Sequence, residues 1–172
     1  MRLQGNLIIE ELGIGMAAVS VRKTSFILAL AAAMAMLFSS LFGLQAEAAQ
    51  TNGQKVASYA QKLIGSPYKY GGTTPKGFDA SGFTQYVYAK SVNAKLPRTS
   101  ADQFKKGKSV QLKDLKPGDL VFYKTNGKSV SFVGIYIGKQ QFVGATSKGV
   151  RVQSMNLAYW KNSYAGAKRI VN

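Results

Sequence analysis

The chain contains no cysteine and no histidine in its 172 residues. A thiolate nucleophile, an imidazole base, a disulfide and a zinc site built from sulfur or imidazole are therefore excluded. Acidic side chains are scarce too: Asp plus Glu is 7 against 23 Lys plus Arg, a formal charge of +16. Such an excess points to an anionic partner. The aspartates beyond residue 50 (Asp79, Asp102, Asp114 and Asp119) are isolated from one another in sequence, which disfavours a carboxylate pair for glycoside cleavage. No P-loop or dinucleotide fingerprint is present, and no cofactor is implied. One tryptophan and four prolines complete the short supplies.

What is present falls into two parts. In the first 49 residues Arg2, Arg22 and Lys23 balance Glu10, Glu11 and Glu47, so the whole excess of positive charge lies beyond Gln50. Residues 24–46 carry no charge, follow the basic pair Arg22 and Lys23, and lead into Ala46-Glu47-Ala48, a small-residue cleavage pattern. Residues 1–48 are read as a secretory signal peptide, with residues 49–172 as a single exported domain. The same run is long enough to serve as an uncleaved membrane anchor, which is the competing reading. The stretch before Arg22 exceeds what a leader needs and holds two glutamates, which points to initiation near Met16.

Beyond residue 50, Val56, Tyr59, Ala60, Leu63 and Ile64 recur at helical spacing until Gly65 and Pro67 stop them. Glycines and prolines then force a looped path to Asp79, which is placed as the N-cap of a second helix from Ala80 to about Lys90. Thr99 with Asp102 has the form of a capping box for a short third helix ending at Gly107. After Pro117-Gly118 the period drops to two, and residues 120–123, 131–137, 141–145, 150–152 and 165–171 read as strands. Helices first and a mostly antiparallel sheet after them predict an α+β fold.

The motifs YKYGGTTPKGFDASGFTQYVY, LPRTSADQF, LKPGDLVFY, SFVGIYIG and QFVGA, in that order, closely resemble the NlpC-type family of bacterial cell-wall cysteine endopeptidases. The resemblance implies a compact papain-like fold with N-terminal helices packed on a mostly antiparallel sheet. It also implies hydrolysis of peptide bonds in the peptidoglycan stem. In the family pattern a cysteine stands where this chain has Ala80, a histidine where it has Phe132, and a polar orienting residue where it has Gly144. A helix N-terminus suits that cysteine, because its unpaired N–H groups and dipole favour the thiolate. With all three groups absent, the expectation is that no residue is catalytic and that the chain is no enzyme by the family mechanism. Strand alternation puts Phe132 on one face with Gly134 and Tyr136, and its ring is expected to fill space left at Ala80 and Gly144.

The resemblance leaves six binding candidates. Tyr68 matches a tyrosine that helps stabilise an oxyanion, Asp79 and Ser81 match positions that hold a substrate amine, and Arg98, Thr99 and Ser100 match one wall of the groove. Each has a plain structural alternative as cap, turn partner or packed aromatic. The functional expectation is a secreted, wall-associated domain binding peptidoglycan stem peptides or anionic wall polymers, with an active wall hydrolase as a further partner. Two alternatives stand beside it: a cell-wall peptide hydrolase of altered or residual activity, and a cationic protein acting on membranes by charge. Nucleic acid is not expected, since no recognition motif appears, and the membrane is met only through the signal segment.

Overall fold

The computed structural model describes residues 49–171; the expected leader, with its expected cleavage site and start near Met16, lies outside them. Among the described residues no helix is long and apolar enough to cross a membrane. Helix α1 spans Asn52–Lys62 and opens with a full capping box. Thr51 Oγ1 accepts the Gln54 amide at 3.2 Å while the Gln54 side chain takes the Thr51 N–H at 2.8 Å. It buries Val56, Ala57 and Ala60 against the next helix. A two-residue hairpin, β1 (Thr73–Thr74) and β2 (Gly77–Phe78), then folds the glycine-rich loop back on itself.

Helix α2 (Ala80–Val92) is capped by Asp79 and closed by Asn93 in the left-handed conformation. It is buried along Phe83, Thr84, Val87 and Tyr88 and packs against α1 and the sheet. A short α3 (Ser100–Phe104) follows, and Phe104 lies edge-on to Phe122 at 5.0 Å between ring centres. Its Thr99 cap accepts the Asp102 amide, whereas the Asp102 carboxylate returns to the Thr99 hydroxyl and not to the backbone.

The sheet has six antiparallel strands in the order β3-β8-β4-β5-β6-β7. They are β3 (Lys108–Val110), β4 (Leu120–Tyr123), β5 (Phe132–Gly138), β6 (Gln141–Thr146), β7 (Gly149–Ser154) and β8 (Tyr164–Arg169). Strands β4 to β7 form a meander; the chain then turns through α4 (Ala158–Ser163), and β8 inserts between β3 and β4. Arg169 on β8 closes that insertion, donating through Nε and Nη2 to the Asp119 carboxylate at 2.8 and 2.7 Å. Tyr123 is the register partner of Phe132, and Tyr136 of Phe142. One face of the sheet therefore carries an aromatic layer of Tyr123, Phe132 and Phe142, completed by Trp160 from α4.

Candidate functional site

The start of α2 is held by a dense set of hydrogen bonds. The loop carbonyl of Gly72 accepts the Asp79 N–H at 3.0 Å, and the Gly71 N–H reaches Asp79 Oδ2 at 3.0 Å. Asp79 Oδ1 takes the Gly82 amide at 2.7 Å, as an N-cap should, and also the Ser81 hydroxyl at 3.3 Å. Arg98 arrives from the segment between α2 and α3 and forks onto both carboxylate oxygens, at 3.1 and 2.5 Å, while Nη1 also meets Ser81 Oγ at 3.0 Å. Partial burial pulls the Asp79 pKa upward, but the guanidinium and the Gly82 and Gly71 amides outweigh it and hold the carboxyl below its ordinary value. The Asp79 hydrogen bond in turn raises the Arg98 pKa against the opposing effect of burial.

Gln103 fixes this arrangement from beneath. Its side chain, fully buried on α3, donates to the carbonyls of Ser81 at 3.1 Å and Pro97 at 2.8 Å, and its oxygen accepts the Thr84 hydroxyl at 2.7 Å. The sequence reading passed over Gln103, although an amide at the fourth position of a five-residue helix with a buried face was the available signal. Tyr70, 89% exposed at the mouth of the loop, was passed over as well.

Tyr68, Asp79, Ser81, Arg98, Thr99 and Ser100 all line one groove of about 660 Å³. Ala80 and Phe132 line it too. The Phe132 ring lies over Gly144 and against Trp160, 4.9 Å between centres. The polar candidates and the three substituted positions are thus neighbours. Among the described residues no three Asp, Glu, His or Cys side chains gather to hold a metal. What the groove offers chemically is the Tyr68 hydroxyl and, on the same lining, the Asp79–Arg98 ion pair; the Ser81 proton is already given to Asp79 Oδ1.

A family model described as the NlpC/P60 family matches residues 65–169. The chain belongs to the NlpC/P60 family. It is 44% identical over 128 residues to the Gamma-DL-glutamyl hydrolase of Bacillus subtilis, covering 71% of this chain and 31% of that protein. It is 45% identical over 109 residues to the Murein DD-endopeptidase MepS/Murein LD-carboxypeptidase of Escherichia coli K12, covering 63% of this chain and 57% of that protein. The chain therefore spans between about a third and somewhat over half of these curated relatives. Among solved structures, the NlpC/p60 domain of the peptidoglycan hydrolase SagA superposes with a TM-score of 0.61 at 31% identity, covering 69% of this chain and 98% of that one. An NlpC/P60 family protein from Bacillus cereus gives 0.65 at 31% identity, covering 70% of this chain and 40% of that one.

These relatives confirm the NlpC-type recognition and the α+β fold, and they correct one expectation. From Ala80, Phe132 and Gly144 the chain was expected not to be an enzyme. Relatives 44–45% identical to it carry the names of a hydrolase and an endopeptidase, so that exclusion does not stand. The physical reason is that three side chains define one route to hydrolysis, whereas the groove and its polar wall belong to the scaffold and are intact here.

Proposed function

We propose that the chain is a wall-associated peptidoglycan hydrolase of altered chemistry, exported by its leader, whose groove takes a stem peptide. The observation that carries this reading is the Asp79–Arg98–Ser81 cluster at the wall of a tyrosine-lined groove in an NlpC/P60 domain. A stem peptide offers carboxylates and free amines, and the cluster presents a guanidinium and a carboxylate side by side. The relatives' printed names concern murein and peptidoglycan, which supports the same substrate class. The positive excess beyond Gln50 suits a wall rich in anionic groups.

The alteration lies in the attacking group. We assign the family's thiolate, base and orienter positions to Ala80, Phe132 and Gly144; no thiol or imidazole exists in the chain, so attack on the amide comes from oxygen. Water is the assigned nucleophile: it adds to the amide carbon with the oxyanion facing the Tyr68 hydroxyl, its proton passes through solvent to the leaving amine as the C–N bond breaks, and a carboxylate and an amine are released. Turnover is expected to be several orders of magnitude below that of a thiolate enzyme.

Incubation of purified protein with muropeptides, read by mass spectrometry, tests the reaction. Slow fragment release that is indifferent to thiol reagents is expected, and no release over long incubation would defeat the hydrolase reading. Titration with a glycan-free stem peptide at rising salt tests the groove. A salt-resistant component lost in Arg98→Gln is expected, and binding that vanishes with salt would leave charge alone as the cause.

A further inference from the structure

A second cleft, of about 440 Å³, opens beside Phe132 between β7 and α4. It shares Thr125, Phe132, Thr146 and Ser147 with the first groove but not the Asp79–Arg98 cluster. One wall is aromatic: Trp160 meets Phe132, and Tyr159, 59% exposed, stands edge-on to Trp160 at 4.8 Å between centres. The other wall is cationic, formed by Arg151 and Lys148, and no carboxylate lines the cleft. Gln153 lies between them, and its Oε1 accepts the Trp160 indole N–H at 3.0 Å, which fixes the amide and leaves its N–H groups as donors.

Arg151 is the informative residue. Beyond Gln50 the chain has three arginines, and two of them close onto carboxylates: Arg98 on Asp79 and Arg169 on Asp119. Arg151, among the described residues, meets no carboxylate. Its register partner on β6 is Gly144, so its neighbour across the ladder has no side chain and the space beside it is bounded by the Phe132 ring. A planar guanidinium in a cleft that also holds an exposed aromatic ring matches a ligand with a carboxylate on a partly apolar body.

We propose that this cleft binds an anionic sugar, a pyranose resting on Tyr159 with its carboxylate held by Arg151 and Lys148. The C–H face of a pyranose lies flat on an aromatic ring, and its hydroxyls pair with Gln153 and Thr146. The carboxylate must be free, so a muramic acid still amide-linked to a stem peptide does not meet this requirement, and the assignment rests on the cleft's own chemistry.

The test is titration of the isotopically labelled chain with N-acetylmuramic acid and N-acetylglucosamine, which differ by the ether-linked lactyl group that carries the carboxylate. N-acetylmuramic acid is expected to bind roughly tenfold more tightly and to move the Trp160 indole and Gln153 amide signals. Arg151→Gln should abolish the preference, Tyr159→Ala should weaken both sugars alike, and Arg98→Gln should change neither. Equal binding of the two sugars, a preference that survives Arg151→Gln, or shifts confined to Tyr68 and Arg98 would overturn the assignment. Failure of a glycan-free stem peptide to bind would strike the first groove alone.

Discussion

The ring of Phe132 occupies the space that a side chain at residue 144 would need: a Cβ built on Gly144 would sit 2.9 Å from Phe132 Cζ and 3.2 Å from Cε1. The two positions are sterically coupled, and the ring sets which residues β6 can carry there.

Gly144→Ala is expected to destabilise the protein by about 1–3 kcal/mol, the usual cost of overfilling a packed site. In Phe132→Ala the same change should be close to neutral, because the ring tip that it meets is gone. Urea unfolding of the four proteins in a double-mutant cycle measures the coupling, and additive costs would show that the ring yields freely.

The same coupling governs a gain of function. Ala80→Cys, Phe132→His and Gly144→His together place a thiol at the helix N-terminus, a base on β5 and an orienter on β6, with the obstructing ring removed. A muropeptide-cleaving activity blocked by iodoacetamide is expected from the triple variant and not from Ala80→Cys alone, whose thiol lacks a base.

Asp79 predicts an acid-side loss of stability. Its folded pKa is lowered from an ordinary value of 3.8, so its contribution is complete above that value and is lost as pH falls through the folded pKa. Asp79→Ala should cost about 1 kcal/mol through the lost cap. The ion pair adds less, because Arg98 is 42% exposed and water screens it. Thermal unfolding between neutral pH and pH 2 should show the gap between wild type and Asp79→Ala closing only at the acid end.

Asp119 is 2% exposed and accepts two Arg169 donors together with the Lys116 amide at 2.7 Å. Arg169→Met strands that carboxylate and is expected to cost about 3 kcal/mol or more. The double variant with Asp119→Leu should recover part of the loss, and chemical denaturation separates the two.

Long periodic elements were legible in the sequence. The Asp79–Ala80 boundary, the first two helices and the β4 to β7 meander follow from a cap, a 3.6 period and a 2 period that each run for several turns or pleats. The β1–β2 hairpin and β3 were hidden because strands of two or three residues carry no period. Helix α4 has no side-chain cap and is held by Trp160 entering the aromatic layer, a tertiary cause that leaves no local mark. The six groove residues were reached by resemblance to the family motifs, while Gln103 was missed because its partners, Ser81, Thr84 and Pro97, come from separate segments.

The placement of β8 bears on how the molecule is made. It is the last of the described strands to be synthesised, yet it holds an inner position, hydrogen-bonded to β3 on one side and β4 on the other. A nascent chain stopped at Ser163 has no partner for β3 and an open edge on β4. The Asp119 carboxylate is then still waiting for its arginine. Two of the six strands, β3 and β8, therefore join the sheet only after Arg169 has been made, whereas the β4 to β7 meander can pair before it.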